Sequence, residues 1–399
     1  MLEGREPVIV AGVRTPIGTF GGIFRTLHDT DLSVPVVREL IKRARLENQF
    51  IDDVIWGCCY QRTTRETNLA RVVAIRAGLS VETPGITLQR VCTSSLQAIV
   101  YASWAIRLGE ADILIAGGSE SMSSVPYIIE EARWGLRMRE HPIRDPLWDG
   151  LTLLGVGPAM GITAENVAER YKISREEQDQ FALLSQQRAV RAIKECRFKD
   201  EIVPIPVPQR KGEAKIMDTD EHPRPDTSPE SLAKLPPAFK EGGTVTAGNS
   251  SGINDGAAGV VVMSWKKAKE LGLKPMARIV STGIGALDPA YMGLSPVPAI
   301  KKALTKAGWK LEDLELIELN EAFAAQYLAC EKELGLNREI TNVNGSGIAL
   351  GHPVGCSGAR ITVTLLHEMR KRGVEKGMAS LCGGGGIGLA VLFEMKQDN

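Results

Sequence analysis

Several features that would place a protein in a specialised class are missing from this sequence. No apolar run approaches the roughly 20 residues that span a bilayer. Lys plus Arg equals Asp plus Glu at 48 each, and a net charge of zero argues against a dedicated nucleic-acid binder. The charged start of the chain, residues 1–7, does not have the pattern of a signal peptide. We therefore expect a protein that binds neither membrane nor nucleic acid.

The seven cysteines lack the spacing of a structural framework. They stand at positions 58, 59, 92, 196, 330, 356 and 382. An odd number without a C-x-x-C pair, in a chain of 399 residues, indicates neither a disulfide scaffold nor a zinc module. The sequence predicts a cytoplasmic protein with reduced thiols and no bound metal.

Glycine is more frequent than usual. There are 41 glycines among 399 residues, or roughly 10%, whereas typical proteins contain about 7%. The length corresponds to two or three domains of about 150 residues each. Short apolar runs alternate with helical stretches, which is typical of βα units on a buried sheet. The first third predicts strands at residues 8–11, 54–56 and 113–116, and helices at 32–45, 70–77 and 94–108.

The C-terminal third repeats this arrangement. The helix that begins at Cys356 corresponds to the one that begins at Cys92, 356 − 92 = 264 positions earlier. Segments 277–280, 314–318 and 378–382 correspond in the same way to the three strands of the first third. This spacing predicts a duplicated α/β domain.

The segment between the halves has a different composition. Eight of the 21 prolines lie between Pro204 and Pro237, and because proline fixes φ and removes a donor, no regular sheet is expected there. Helices are predicted at 165–170 and 174–196, the second with a capping box at its start. The predicted domains are therefore residues 1–120 with 250–271, an inserted loop domain at 121–249, and residues 272–399.

Cys92 lies where a strand-like segment meets the start of an apolar helix. A thiol at a buried helix N-terminus faces the positive end of the helix dipole and unpaired amides, which can lower its pKa from about 8.5. The position therefore predicts a reactive thiolate. The alternative is a small buried hydrophobic residue, which is the usual state of a free cysteine.

Three further polar residues follow predicted strands or turns. His352 lies in the glycine- and proline-framed segment 351–355, Cys382 precedes the glycine run 383–386, and Asn320 follows a predicted strand and begins a helix. An imidazole could activate a thiol, bare glycine amides could donate to an oxyanion, and a side-chain amide could hold a water. Each also has a structural explanation: a histidine bonded to backbone, a packing turn and a helix N-cap.

Seven ordered motifs give the chain a specific resemblance. From about residue 7 to 393 it resembles the thiolases, the family of acetyl-CoA acetyltransferases and 3-ketoacyl-CoA thiolases. The motifs lie at residues 91–95, 117–122, 160–166, 243–249, 320–323, 351–355 and 382–388. The resemblance implies an α/β fold of five αβαβα layers from two duplicated half-domains, plus an inserted loop domain that holds coenzyme A.

The resemblance also implies catalytic roles. Cys92 would be the acylated nucleophile and His352 would activate it, while Cys382 would move the proton at the acetyl α-carbon. Asn320, through a water, would form one oxyanion hole with His352. The amides of Cys92 and Gly384 would form the other.

The remaining implied contacts concern coenzyme A, which is a substrate here rather than a cofactor. Candidates for the adenine, phosphate and pantetheine contacts are Arg224, Ser231 and Ser251. The residues implied to line the pantetheine and acyl end are Leu151, Met160, Phe239, Phe323 and Met292. A homodimer or homotetramer is implied by the resemblance alone.

Some positions depart from the family pattern. Thr93 and Ser95 stand beside the nucleophile where the family usually has smaller residues, and they could narrow the pocket. Ala159 stands where short-chain biosynthetic relatives often carry a histidine, and Ser119 replaces a frequent methionine. These departures leave the acyl chain length open.

The leading hypothesis is the interconversion of two acetyl-CoA with acetoacetyl-CoA and CoA. A 3-ketoacyl-CoA thiolase of fatty-acid β-oxidation, acting on longer chains, is the nearest alternative. A ketoacyl-carrier-protein synthase typically pairs cysteine with two histidines, whereas this chain offers Asn320 and Cys382. A non-catalytic acyl-CoA-binding subunit remains a third class.

Overall fold

Twelve strands and twelve helices make up the described part of the chain, residues 3–47, 49–61, 66–152 and 155–395 of a computed structural model. The strands are β1 Pro7–Arg14, β2 Gly18–Thr19, β3 Asp53–Gly57, β4 Gly85–Leu88, β5 Ile113–Ser121, β6 Ile205–Val207, β7 Lys215–Met217, β8 Asn254–Ser264, β9 Ala277–Ala286, β10 Leu316–Leu319, β11 Lys376–Gly383 and β12 Ile387–Glu394. The helices are α1 Asp29–Arg43, α2 Leu69–Ala77, α3 Ser94–Leu108, α4 Pro146–Thr152, α5 Met160–Tyr171, α6 Arg175–Lys194, α7 Pro229–Ala233, α8 Trp265–Glu270, α9 Pro296–Ala307, α10 Ala324–Leu334, α11 Gly347–Leu350 and α12 Ser357–Arg372.

The sheet order shows the duplication directly. The first half runs β3-β5-β8-β1 and the second runs β10-β11-β12-β9, with β4 added at the outer edge of the first. In both halves the first pair is parallel and the other two pairs are antiparallel. The predicted strand correspondences are therefore confirmed. The two halves also join edge to edge, because β1 pairs with β9 at Val8↔Arg278 and Ile9↔Ala277.

Three hydrophobic clusters define the layers. The central cluster contains Ile99 of α3 and Leu365 of α12, packed between residues from both halves of the sheet. A second cluster packs α1 and α2 on the outer face of the first half, and a third packs α9 and α10 on the outer face of the second half. The αβαβα arrangement is confirmed, with α3 and α12 forming the middle layer.

The inserted segment contains the four helices α4 to α7, joined by long irregular stretches. Its helix α6 begins with the predicted capping box, in which Ser174 and Glu177 exchange side-chain to backbone hydrogen bonds. The expectation of no regular sheet in the proline-rich part is wrong, since β6 and β7 form a two-stranded antiparallel ladder. Pro206 fits there because a strand with one partner leaves an outer edge that needs no donor.

A search of the described helices finds none with the length and apolarity that crossing a membrane requires. The predicted domain boundaries stay predictions. Strand β8 lies between β5 and β1 in the first half of the sheet, in agreement with the assignment of residues 250–271 to that half.

Candidate active site

One cavity of about 310 Å³ brings together residues from both halves and from the inserted segment. Three of the predicted catalytic residues line it, namely Cys92, His352 and Cys382. It is lined mainly by apolar side chains, which is what a binding site for an acyl or pantetheine group requires. The predicted contacts that also line it are Leu151, Met160, Phe239, Ser251, Met292 and Phe323.

Cys92 precedes the start of α3, and its sulfur accepts hydrogen bonds from the amide of Gly384 and from its own amide. Burial outweighs these two bonds and raises the pKa of the thiol to about 11. The prediction of a lowered pKa is therefore wrong. The next two amides of the turn are already used, since Thr93 donates to Arg90 O and Ser94 donates to Val91 O, both at 3.1 Å.

This environment makes a prediction for alkylation. The rate of Cys92 alkylation by iodoacetamide should still be rising above pH 9, because its pKa of about 11 lies above the value of about 8.5 for a free thiol. Peptide-resolved mass spectrometry would measure the rate across pH, with the exposed Cys196 as a reference in the same chain. A plateau below pH 8 would contradict the prediction.

His352 is held at its backbone by a distant residue. Asn254 Oδ1 accepts a hydrogen bond from the His352 amide at 2.9 Å. The preceding Gly351 has φ +97°, and a Cβ there would lie 2.6 Å from Asn254 Cγ. Glycine is therefore required for the turn to pack this closely.

The His352 ring is buried and neutral. Its Nδ1 lies 2.5 Å from Ser357 Oγ, while its Nε2 has no hydrogen-bond partner among residues 3–47, 49–61, 66–152 and 155–395. Burial, with a smaller effect from the Arg360 charge, lowers the pKa of the imidazole to about 3. A neutral ring at physiological pH can accept a proton when a thiol gives one up.

Cys382 is fully buried at the end of β11, just before a tight turn. Gly385 and Gly386 have φ +78° and +81°, so the turn to β12 depends on glycine. Burial raises the pKa of the Cys382 thiol well above its usual value, and interaction with Cys92 raises it further. Cys382 and Cys92 both line the same cavity. The glycine run both closes the turn and brings the Gly384 amide to Cys92.

Asn320 follows β10 but does not cap a helix. The next helix, α10, begins at Ala324 after the N-cap residue Phe323, so the N-cap explanation is wrong. Its Nδ2 lies 3.4 Å from His352 Nδ1. Its Oδ1 is buried and has no partner within the described part of the chain. A buried unpaired carbonyl oxygen next to the imidazole fits the predicted role of holding a water.

Two of the predicted coenzyme A contacts lie away from the cavity. Arg224 and Ser231 are exposed and do not line it. Ser231 takes part in the capping box of the short helix α7, with Ser228, and this is a sufficient structural reason for a serine there. Their roles in binding stay predictions.

The departures beside the nucleophile do not narrow the cavity. Neither Thr93 nor Ser95 lines it. Thr93 Oγ1 donates to Arg90 O at 2.7 Å, and Ser95 Oγ accepts from the Ala359 amide at 2.9 Å. Both side chains therefore hold the start of α3 in place. Ala159, by contrast, lines the cavity.

Glu120 supports the site in a way that the sequence did not reveal. Its carboxylate accepts hydrogen bonds from the amides of Cys59, Tyr60 and Gly355 at 2.9, 3.1 and 3.0 Å. It also lies with Asp29 and Cys58 in a buried group whose ligand-type atoms are within 4.8 Å of one another. These hydrogen bonds from backbone amides explain why the Glu120 carboxylate is buried, because it links two loops. The three-residue group therefore does not by itself indicate a metal site.

Asn254 and Ser357 are further contacts of His352 that sequence reasoning missed. Asn254 is 98 positions away in the chain, and no local pattern marks it. Ser357 has a local signal, since it opens the helix that follows the glycine- and proline-framed segment, but a serine at a helix start is ordinarily explained by capping.

Comparison with known proteins gives consistent matches over almost the whole chain. The family models described as thiolase N-terminal domain and thiolase C-terminal domain match residues 7–266 and 273–395. An acetyl-CoA acetyltransferase of Syntrophomonas wolfei is 52% identical, over 98% of this chain and 99% of that protein.

Solved structures agree with this result. The crystal structure of the Bacillus anthracis acetyl-CoA acetyltransferase is similar with a TM-score of 0.95 and 52% identity, covering 98% of each chain. Human mitochondrial 3-ketoacyl-CoA thiolase in complex with CoA is similar with a TM-score of 0.95 and 44% identity, covering 99% of each chain.

Proposed function

Because the chain belongs to the thiolase family, we propose that it catalyses the reversible condensation of two acetyl-CoA to acetoacetyl-CoA and CoA. The proposal assigns it to the acetyl-CoA C-acetyltransferases, with an acetyl thioester on Cys92 as the intermediate. The observation that carries it is that Cys92, His352 and Cys382 line one cavity.

In the first half of the reaction, the Cys92 sulfur attacks the carbonyl carbon of acetyl-CoA. His352 Nε2 takes the thiol proton during the attack, since neither group is ionised at rest. The imidazole returns this proton to the sulfur of CoA as the C–S bond breaks. CoA leaves as a thiol and Cys92 carries the acetyl group.

The amides of Gly384 and Cys92 stabilise the tetrahedral intermediate. In the resting protein both donate to the Cys92 sulfur, so they lie within reach of the carbonyl that becomes bonded to it. Fixed amide donors of this kind contribute roughly 10²–10³-fold in rate per donor in other enzymes.

In the second half, the Cys382 thiol first gives its proton to His352. The thiolate removes an α-proton from the second acetyl-CoA, and the carbanion attacks the acetyl group on Cys92. The C–S bond breaks, and His352 returns its proton to the Cys92 sulfur. All three groups then have their starting protonation. The thiol of Cys382 has a raised pKa. Because a thiolate with a higher pKa is a stronger base, Cys382 is suited to removing the proton of a weakly acidic C–H bond. The scheme uses coenzyme A as substrate and requires no further cofactor.

The acyl chain length is tested by comparing substrates. We expect kcat/KM for thiolysis to be higher with four-carbon acetoacetyl-CoA than with an eight-carbon 3-ketoacyl-CoA, because the acetyltransferases above share more sequence with this chain than the 3-ketoacyl-CoA thiolase does. Equal or faster turnover of the eight-carbon substrate would instead favour a 3-ketoacyl-CoA thiolase acting on longer acyl chains. The solved structure of such a thiolase has the same TM-score to this chain as that of the acetyltransferase.

The protein also has surfaces that suit self-association, and we propose a homodimer or homotetramer. The edge strand β4 has β3 as its neighbour in the sheet. Ile86 in this strand and Val81 just before it are 49% and 77% exposed. An apolar edge of this kind is normally covered. Sedimentation should give at least twice the mass of one chain, and a monomer at micromolar concentration would contradict this.

The cytoplasmic location is likewise a proposal. It is supported by the cysteines, since all seven are unpaired, as is usual in a reducing compartment. Fractionation of cells that produce the protein should recover it with cytoplasmic markers, and recovery with an oxidising compartment would contradict the proposal.

A further inference from the structure

The side chain of Asn254 has an unambiguous orientation. Its Oδ1 accepts a hydrogen bond from the His352 amide at 2.9 Å, and its Nδ2 donates to Gly18 O at 3.0 Å. A backbone amide can only donate and a backbone carbonyl can only accept. These two bonds therefore fix which end of the Asn254 amide carries the oxygen.

His222 is the third partner of this side-chain amide. Its Nδ1 lies 3.2 Å from Asn254 Nδ2. Because Nδ2 can only donate, Nδ1 must accept, and the single proton of the neutral ring lies on Nε2. The ring also hydrogen-bonds with the Ile348 backbone. Burial, with a smaller effect from the Arg224 charge, lowers the pKa of His222 to about 4, so the ring is neutral at physiological pH.

The His222 ring can reach Asn254 because residue 252 is glycine. A Cβ on Gly252 would lie 2.4 Å from His222 Cε1 and 2.9 Å from Asn254 Oδ1. Gly252 lines the same cavity as Cys92, and His222 does not. His222 therefore packs against a segment that forms the wall of the proposed active site, without reaching the substrate side of it.

The contacts of His352 divide between its ring and its backbone. Ser357 Oγ and Asn320 Nδ2 lie 2.5 and 3.4 Å from the ring nitrogen Nδ1, whereas Asn254 bonds to the backbone amide. A shift of this backbone would move Nε2 relative to the Cys92 sulfur. Misplacement of a reacting group by about 1 Å can lower a rate by roughly 10²-fold.

We propose that His222 is a positioning residue for His352, because it accepts the second Nδ2 hydrogen of Asn254 and so keeps Oδ1 of that amide on the His352 backbone. Without this acceptor, one buried hydrogen of Nδ2 would lack a partner, which favours a movement of the Asn254 side chain. The inference rests on the proposed function, because it concerns the imidazole that the proposed reaction uses.

Two amide substitutions test the acceptor itself. In His222→Asn the side-chain oxygen can take the place of Nδ1, whereas in His222→Gln the amide takes the place of Nε2 and leaves Asn254 without this acceptor. His222→Gln should lower kcat by roughly 10-fold, within the cost of a misplaced catalytic group, with KM for acetyl-CoA within about twofold. His222→Asn should restore most of the rate.

The loss should affect both halves of the reaction. Because His352 acts in each half, acetyl labelling of Cys92 and condensation should slow by the same factor in His222→Gln. His141→Gln is the matched control, since the His141 ring contacts Arg137 O at 2.8 Å and does not line the cavity. It should leave kcat unchanged.

Two further measurements do not depend on turnover. Peptide-resolved hydrogen exchange should show the His352 amide protected in wild type and exchanging at least about 10-fold faster in His222→Gln, because its acceptor has become mobile. His222→Asn should keep the protection. Nitrogen-15 ring shifts of wild type should place the His222 proton on Nε2.

A proton on Nδ1 of His222 in wild type, or equal rates for the two amide variants, would overturn the role of His222. So would a rise in KM without a fall in kcat, which would assign His222 to substrate binding beside Arg224. If wild type fails to turn over acetyl-CoA while the exchange pattern holds, the proposed function fails and the anchoring of His352 by His222 and Asn254 stands.

Discussion

Cys92→Ser should abolish acetyl labelling of the protein and lower turnover by about 10⁴-fold or more, as loss of a nucleophile does in other enzymes. A serine hydroxyl is a far weaker nucleophile than a thiol, and the neutral His352 ring gives it little activation. Intact-mass measurement after exposure to acetyl-CoA would show wild type heavier by one acetyl group and the variant unchanged.

The fully buried Cys330 provides the control for this experiment. It lies in α10 and its thiol donates to Gly293 O at 3.2 Å, away from the cavity lining. Cys330→Ser should therefore label like wild type. Labelling that survives Cys92→Ser would refute the nucleophile assignment. Wild type that binds coenzyme A without ever becoming acetylated would indicate a non-catalytic binding subunit.

Cys382→Ala should separate the two halves of the reaction. The variant should still acquire one acetyl group, because Cys92, His352 and the Gly384 amide remain. Condensation should fall by roughly 10²–10⁴-fold, the usual contribution of a positioned acid or base. Labelling by intact mass and acetoacetyl-CoA formation measured on the same preparation would show the difference.

Cys382→Ser serves as the comparison, since it retains a small polar group that can relay a proton less effectively. It should label fully and condense slowly. Loss of labelling in Cys382→Ala, with an unchanged melting temperature, would mean that Cys382 acts in the first half of the reaction. Condensation close to the wild-type rate would remove it from the mechanism.

Much of the fold could be predicted because its signals are local. The helix predicted at residues 94–108 has the same bounds as α3. Gly109, in the left-handed region with φ +81°, ends it, while the N-cap residue Thr93 makes no side-chain capping bond. The duplication was visible because both halves keep the same succession of strand, glycine and helix. The helix α5 begins at Met160, earlier than predicted, because its first turn carries few of the usual starting signals.

The electrostatic state of the site could not be predicted from local pattern. Position at a helix start suggested an ionised Cys92, but its pKa depends on how completely neighbouring segments exclude water from the sulfur. Asn254 accepts a hydrogen bond from the His352 amide, and Glu120 accepts one from the Gly355 amide. Both bonds join segments that are far apart in the chain. Contacts of this kind become visible only when the chain is folded.

The duplicated core has an asymmetric consequence. Cys356 occupies the position in the second half that Cys92 occupies in the first, yet Cys356 has no exposed surface, and burial raises its pKa to about 12. The second half contributes His352 and Cys382 to the shared cavity. Two halves with the same strand order thus have different roles: the first presents the proposed nucleophile, and the second supplies the imidazole and the thiol proposed to act with it.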